Sequence, residues 1–266
     1  MTSGQTNTSR ALLATCVAAA ARAAEVIRER SSDHRSIDWE TKARADFVTE
    51  VDRAAEHAIT AIVTERHPGA QILGEELSPS VEHKGELTFV VDPLDGTTNF
   101  LHGFPWYAVS IAAMDGGELL AGVVLNVSSG ELFTATAGGG ARVNGQPIQV
   151  SPIIDASRAL IGTGFPFKEG KHTDEYLRMM SRVMRETAGI RRPGSASLDL
   201  ADVACGRFEG FWELSLAPWD IAAGLLLVRE AGGVVTNIAG EPCPVAHTSL
   251  VAGNPTMHAW LMDALK

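Results

Sequence analysis

The chain has 266 residues, of which 45% are hydrophobic and 20% are charged. This balance is typical of a globular protein with a large core, built as one large domain or two small ones. The formal net charge of −10 argues against nucleic acid as the main ligand, because a phosphate backbone needs compensating lysine and arginine. The three cysteines lie far apart, with neither metal-ligand spacing nor an even disulfide framework, which favours a reducing, cytoplasmic location.

The first apolar stretch is predicted to form one amphipathic helix from Ser9 to Arg30, with Ser9 as its N-cap. The alternative is a signal peptide, because Arg10 precedes an alanine-rich run. Charged residues continue the helical pattern beyond that run, so we expect the segment to stay on the mature protein and to pack its apolar face on the body or on a partner subunit. No other run is long and apolar enough to span a membrane.

The rest of the first half is predicted as a polar loop, a helix and a series of strands. The loop covers residues 31–44, and the helix runs from Glu50 to His67, with Thr49 as its cap and Asp52 as its third residue, close to a capping box. The strands are residues 71–74, 87–91, 107–114, 119–126 and 131–136, the last three in an antiparallel run. The triple glycine at residues 138–140 is a turn and not a phosphate-binding loop, since no Gly-Lys-Ser/Thr follows it.

In the second half, helices alternate with strands. The predicted strands are residues 159–163, 208–213, 234–237 and 250–252, and the predicted helices are residues 173–187, 195–205, 220–231 and 255–266. Antiparallel strands followed by alternating elements indicate a layered α+β or mixed α/β body. No Pro- or Ser-rich linker interrupts the chain, so we expect a single compact domain over residues 1–266, with packed halves of about 1–155 and 156–266. Arg178, Arg182 and Arg185 can share a helix face, either solvated or bound to a partner.

The nine residues from Asp92 to Phe100, DPLDGTTNF, carry the strongest chemical signal. They follow an apolar run that is predicted as a buried strand ending where Asp92 begins. Asp92 and Asp95 supply the oxygen ligands that Mg²⁺ prefers, and the backbone N–H groups of the Gly-Thr-Thr loop can bind a phosphate. Asp-Pro and Asp-Gly are also common turn dipeptides, so a plain turn is the alternative.

Further acidic residues stand at the ends of predicted elements. Glu75 and Glu76 follow one strand, and Asp92 follows another. If these two strands are neighbours in the sheet, their carboxylates meet at the same sheet end. Asp220 follows Pro218-Trp219 and opens a helix, where it complements the helix dipole and can act as an N-cap. Each position has a purely structural explanation, but their recurrence after apolar segments favours a shared site.

Three blocks, residues 74–76, 92–100 and 218–224, resemble the signatures of the inositol monophosphatase family. The similarity extends in order through residues 46–52, 194–196, 211–213 and 230–233, and the details from residues 162–167 onward are most similar to the bacterial branch. The resemblance implies a five-layered α-β-α-β-α sandwich and Mg²⁺-dependent, lithium-sensitive hydrolysis of a phosphate monoester, first of all myo-inositol 1-phosphate. It also leads us to expect a homodimer.

Alternative functions stay open at this point. Fructose-1,6-bisphosphate, histidinol phosphate and nucleotide 3′-phosphate are alternative small-molecule substrates. A protein of another class, a regulatory or binding protein in a transcription or ribosome-assembly complex, would use the arginine-rich surface from Arg178 to Arg192.

The resemblance also implies a role for individual residues. Two or three Mg²⁺ ions would be held by carboxylates and one carbonyl group, those of Glu75, Asp92, Leu94, Asp95 and Asp220. The attacking water would be oriented by Thr97, hydrogen-bonded to Asp52, with Glu75 holding the third ion through water. Contacts to the phosphate and the alcohol would come from Asp95, Gly96, Thr97, Ala196, Glu213 and Asp220. Lys42 lies near a family loop lysine, but we do not place it in the site.

Overall fold

The computed structural model describes residues 3–31, 39–43, 46–78, 87–166 and 172–266. Its helices are α1 (Ser3–Ser31), α2 (Glu50–Arg66), α3 (Thr97–Leu101), α4 (Thr173–Glu186), α5 (Ala196–Ala204), α6 (Pro218–Glu230) and α7 (Pro255–Ala264). Its strands are β1 (Trp39–Ala43), β2 (Asp46–Thr49), β3 (Gln71–Gly74), β4 (Thr88–Asp95), β5 (Ala108–Asp115), β6 (Glu118–Asn126), β7 (Leu132–Thr136), β8 (Gly140–Val143), β9 (Gln146–Pro147), β10 (Leu160–Thr163), β11 (Gly189–Arg191), β12 (Gly210–Leu216), β13 (Val234–Thr236) and β14 (Thr248–Gly253).

The elements form five layers, as the family resemblance implies. One sheet has the order β3-β4-β5-β6-β7-β8-β9, and the other has the order β11-β10-β12-β14-β13. Helices α5 and α6 pack between the two sheets, α1 and α2 cover the outer face of the first sheet, and α4 and α7 cover the outer face of the second. The arrangement is therefore an α-β-α-β-α sandwich.

Side-chain alternation along the strands explains why both faces of each sheet are covered. Phe89 and Val91 of β4 pack under α1 and α2, whereas Val90 between them faces α5 and α6. On β12, Phe211 faces the middle layer and Trp212 the outer one. Successive residues of a strand point to opposite faces, so apolar runs of this kind must be buried on both sides. The middle cluster joins residues of both halves, which supports our proposal of a single domain.

Helix α1 is part of the core. Its buried face packs against α2, β5 and β6, through Leu12, Cys16, Ala19, Ala20, Ala23, Ala24 and Ile27. The predicted N-cap at Ser9 is wrong, because the helix begins at Ser3 and Ser9 is buried inside it. No proline precedes Ser9, so nothing in the sequence stops the helix from extending. Within the described ranges, no helix has the length and apolar character needed to cross a membrane.

Several short elements were not predicted. Part of the predicted loop at residues 31–44 forms β1, which pairs antiparallel with β2. The elements β8, β9, β11 and α3 were also missed. The missed elements show no clear period in the sequence, and their conformation depends on the sheet or turn that they join.

Candidate active site

An irregularity in β4 brings Asp92 and Asp95 to one side of the sheet. The strand does not end at Asp92, as predicted, but continues to Asp95. Asp92 pairs with Ser110 and Asp95 pairs with Ala108, so three steps on β4 oppose two on β5. Residues three apart in a regular strand point to opposite faces, and the extra residue of a bulge reverses this. Pro93 lies in the bulge, where its missing N–H costs the sheet no hydrogen bond.

The ends of β3 and α6 add two more carboxylates beside Asp92. Strand β3 runs parallel to β4, and the Glu75 backbone N–H donates to the Val91 carbonyl at 3.2 Å, so Glu75 is the neighbour of Asp92. Ser110, opposite Asp92, donates its hydroxyl to the Trp219 carbonyl at 3.4 Å, which places Asp220 at the same end.

Asp220 is the third residue of its helix, and not the N-cap, because α6 begins at Pro218. Proline suits the first turn of a helix, where its N–H would have no partner. Oδ2 of Asp220 accepts the Ala217 backbone N–H at 2.7 Å.

These four residues, Glu75, Asp92, Asp95 and Asp220, are called the strand-end cluster. The pKa of Asp92 is raised well above its usual range by burial and then by the charges of Glu75, Asp95 and Asp220, while a bond from the Leu94 N–H opposes the rise. Among the described residues, no lysine or arginine is one of the main influences on Asp92. The cluster therefore brings the charges of Glu75, Asp95 and Asp220 to bear on the buried carboxyl group of Asp92.

The donor set of the cluster fits a hard divalent cation. It consists of carboxylates with the Leu94 carbonyl beside them, and oxygen ligands of this type bind Mg²⁺ or Ca²⁺. Buried carboxylates are costly unless they are paired or coordinate a metal. In the present side-chain positions, no three Asp, Glu, His or Cys residues of the described ranges complete a coordination set. The fit thus rests on the chemistry and the charge of the donors.

The first turn of α5 holds Asp95. Its Oδ2 accepts the Ser195 hydroxyl at 2.7 Å, the Ser197 N–H at 2.8 Å and the Ser197 hydroxyl. Burial raises the pKa of Asp95, and these bonds oppose the rise. Ala196 lies between the two serines and is brought to the cluster by them. Ser197 was missed in the sequence, where the Ser-x-Ser spacing at the start of a predicted helix is the signal that could have found it.

Thr97 and Asp52 are brought together although they lie on different elements. Thr97 Oγ1 is 3.1 Å from Asp52 Oδ1 and 3.1 Å from the Leu94 carbonyl. Asp52 Oδ2 accepts the Thr49 N–H at 2.9 Å and the Thr49 hydroxyl, so the predicted capping box is confirmed. One carboxylate therefore caps α2 and contacts Thr97. Burial raises the pKa of Asp52 to about 6, with a smaller rise from Glu76, against the opposing bonds from Thr49 and Thr97.

Gly96 turns the chain from β4 into α3, a segment predicted as a loop. Its φ of 98° is in the left-handed region, and a Cβ there would lie 3.0 Å from the Trp106 carbonyl oxygen. Both the conformation and the space therefore favour glycine. The turn places Gly96 and Thr97 at the start of α3, where the first N–H groups have no partner within the helix.

Glu213 lies on the second sheet, half-buried on β12. The prediction that the strand ends at Glu213 is wrong, because β12 continues to Leu216 past an irregularity in its pairing with β14. Its carboxyl group packs on Gly164, where a Cβ would lie 2.0 Å from the carboxyl carbon. The charge of Glu213 helps, after burial, to raise the pKa of buried Asp199, to which Asp95 also contributes. Glu213 and the strand-end cluster thus act on a common neighbour.

Comparison with known proteins agrees with this architecture. The model of the inositol monophosphatase family matches residues 9–266. A Nus factor SuhB from Pseudomonas aeruginosa is 46% identical over 253 residues, covering 93% of each chain. An inositol-1-monophosphatase from Rhizobium meliloti is 45% identical over 256 residues, covering 96% of each chain. The crystal structure of the extragenic suppressor protein suhB from Bartonella henselae superposes with a TM-score of 0.92 at 41% identity, covering 96% of this chain and 98% of that one.

Proposed function

Because the chain belongs to the inositol monophosphatase family, we propose that it hydrolyses a phosphate monoester with Mg²⁺, and that myo-inositol 1-phosphate is a substrate. The observation that carries this proposal is the strand-end cluster, in which buried Asp92 is surrounded by the charges of three further carboxylates. A set of carboxylates of this kind can bind a hard divalent cation, and a phosphate monoester brings negative charge that the same cation can bind.

Two or three Mg²⁺ ions would be held by Glu75, Asp92, the Leu94 carbonyl, Asp95 and Asp220. Bound metal would activate water and neutralise the leaving alkoxide. The protein would orient these ligands through the bonds that hold one carboxylate oxygen of Asp95 and Asp220 in place. No covalent phosphoenzyme is required.

Thr97 and Asp52 would orient the attacking water. The Thr97 hydroxyl would donate to Asp52 Oδ1, which leaves an oxygen lone pair on Thr97 to accept a hydrogen bond from the water. A pKa of about 6 keeps Asp52 largely ionised at neutral pH and close to the range that suits proton transfer. The backbone N–H groups of Gly96 and Thr97 would bind the phosphate, and Ala196 and Glu213 would contact the alcohol.

Phosphate release from a panel of monoesters tests the proposal. The panel contains myo-inositol 1-phosphate, fructose 1,6-bisphosphate, histidinol phosphate and a nucleotide 3′-phosphate, each with Mg²⁺ and with excess chelator. We expect turnover of inositol 1-phosphate to require Mg²⁺ and to be inhibited by lithium and by calcium, the second because Ca²⁺ is larger and more loosely coordinated. Full activity in chelator would contradict the mechanism.

A second role is favoured by a specific observation: the chain is as similar to a protein named Nus factor SuhB as to one named inositol-1-monophosphatase. The surface that we propose for a partner in a transcription or ribosome-assembly complex is α4, where Arg178 and Arg185 are exposed. Arg182 between them binds Asp263 and Glu186. An Arg178→Glu, Arg185→Glu variant should keep phosphatase activity and lose binding to purified Nus factors; unchanged binding would remove this surface.

We further propose a homodimer, which sedimentation equilibrium of the purified chain tests directly. A monomer at micromolar concentration would contradict it.

A further inference from the structure

Glu56 is a fully buried carboxylate that the proposed chemistry does not use. It lies one helical turn after Asp52 on α2, so both side chains project from the same face of the helix. Oε2 of Glu56 accepts the Glu76 N–H at 2.8 Å, and Oε1 accepts the Leu77 N–H at 3.0 Å. An ionised group in such a place must be hydrogen-bonded to be tolerated, and bonds to an ionised acceptor are stronger than neutral ones.

Both N–H groups belong to the turn that carries Glu75. The Glu75 N–H donates to the Val91 carbonyl of β4 at 3.2 Å, and the next two N–H groups along the chain bind Glu56. The Gly74 N–H closes the turn on the Ser78 carbonyl at 3.1 Å. The backbone of Glu75 is therefore held by the sheet on one side and by Glu56 on the other.

Gly74 leaves the space that Glu56 occupies. A Cβ at residue 74 would lie 2.1 Å from Glu56 Oε1, a separation that real Cβ atoms essentially never show. Gly74 has no positive φ, so the requirement for glycine here concerns space and not backbone conformation. Because Glu56 has no exposed surface, a Cβ at residue 74 would push its carboxyl group against other buried atoms.

We propose that Glu56 is a positioning residue for the metal site. Its carboxylate holds the Gly74–Ser78 turn so that the Glu75 carboxylate faces Asp92. The inference rests on the proposed function, since Glu75 is a metal ligand only within it. Asp52 and Glu56 then have different roles on the same face of α2. Asp52 contacts Thr97, and Glu56 fixes the backbone around Glu75. In this proposal Glu56 acts through the backbone of the turn and contacts neither metal nor substrate.

Binding of Mn²⁺ to the full-length protein tests the role without any turnover. Free Mn²⁺ is followed by electron paramagnetic resonance during titration of the parent, Glu56→Gln and Glu65→Gln. The Glu56→Gln side chain keeps its volume but offers an amide NH₂ where one backbone N–H needs an acceptor. Loss of a residue that orients a metal ligand typically weakens the affinity for the metal about 10- to 100-fold. We expect a loss of this size in Mn²⁺ affinity for Glu56→Gln. Glu65 is exposed on the same helix, so Glu65→Gln should bind like the parent.

Glu75→Gln is the reference that separates this inference from the proposed function. If Glu75→Gln weakens Mn²⁺ binding but Glu56→Gln binds like the parent and only melts at a lower temperature in chelator, Glu56 is merely structural and the inference is wrong. If the parent binds no Mn²⁺, or Glu75→Gln binds unchanged, the proposed metal site fails and the inference fails with it.

A double-mutant cycle keeps the test open if Glu56→Gln folds poorly. Gly74→Ala alone should weaken Mn²⁺ binding about 10-fold or more, because its methyl group displaces the Glu56 carboxylate. In a Glu56→Ala background the methyl has no carboxylate to displace, so the same change should cost less than about twofold. Equal losses in both backgrounds would show that Gly74 and Glu56 act independently and would overturn the proposal.

Discussion

Two groups of acids, each around one buried aspartate, have different neighbours in this molecule. The arginine cluster consists of Glu131, Asp202 and Arg207, in which Arg207 binds Asp202 Oδ1 at 3.0 Å and also binds Glu131. Burial raises the pKa of Asp202 to about 6, and Arg207 opposes the rise. In the strand-end cluster, burial and neighbouring carboxylates both raise the pKa of Asp92. The two clusters therefore differ in the charge of their neighbours: Arg207 opposes the effect of burial on the pKa of Asp202, whereas further carboxylates add to that effect on Asp92.

The largest expected effect separates the two clusters by activity. Asp92→Asn and Asp95→Asn should each lower kcat by about 10²–10³-fold or more, because an amide lacks the charge that binds the metal. In chelator, Asp92→Asn should melt no lower than the parent, since it removes one of several repelling charges. Asp202→Asn serves as the control and should keep near-parent kcat. If Asp92→Asn keeps the turnover and the Mg²⁺ dependence of the parent, the assignment of Asp92 as a metal ligand is wrong.

Stability should show the opposite ranking. Arg207→Ala leaves the buried Asp202 carboxylate without its partner, which should cost about 1–3 kcal/mol of unfolding free energy in urea denaturation while kcat stays near that of the parent. Asp263 binds Arg182 at an exposed site, where water screens the pair, so Asp263→Asn should leave the unfolding free energy close to that of the parent. Similar costs for both variants would mean that burial does not distinguish the two pairs.

Glu213 is an acid of a third kind, half-buried and on the other sheet. Glu213→Gln should raise KM for inositol 1-phosphate by about 10-fold, within the 1–3 kcal/mol of a lost hydrogen-bond partner, and leave kcat nearly unchanged. A hydroxyl-free aryl phosphate should show little change, because it lacks the alcohol groups that Glu213 would bind. Equal effects on both substrates would instead assign Glu213 to the support of the fold or the metals.

The smallest effect is a pH dependence of the metal-free protein. The raised pKa values of Asp52, Asp92 and Asp95 mean that the folded state binds protons at a pH where the unfolded chain does not. Their contribution to stability is present at low pH and is lost as pH rises through the folded-state pKa values. In chelator, lowering the pH from about 8 to 5.5 should raise Tm by about 2–4 °C, and by less in Asp92→Asn. An equal shift in the variant would show that Asp92 does not contribute.

Local signals in the sequence predict much of this fold. The helix after Thr49 and its capping box follow from residues within one turn of each other, and they agree with the structure. Apolar runs located the central strands because both faces of the two large sheets are covered. The acidic positions were found since each follows such a run. These features depend on neighbours in sequence, and for that reason they can be read from it.

Long-range contacts were decided only by the tertiary structure. The bulge that turns Asp92 and Asp95 to one side depends on how β4 pairs with β5. The hydrogen bond from Ser197 to Asp95 joins residues from opposite halves of the chain. In the sequence, Glu56 looks like any other acidic residue of a helix. Only the fold shows that its carboxylate binds the turn after β3. A hydrogen bond between distant residues leaves no periodic trace, because it constrains two positions and not a pattern. The sequence by itself therefore supplied the acids and the elements that carry them, whereas packing of the five layers decided which acids meet and which groups hold them.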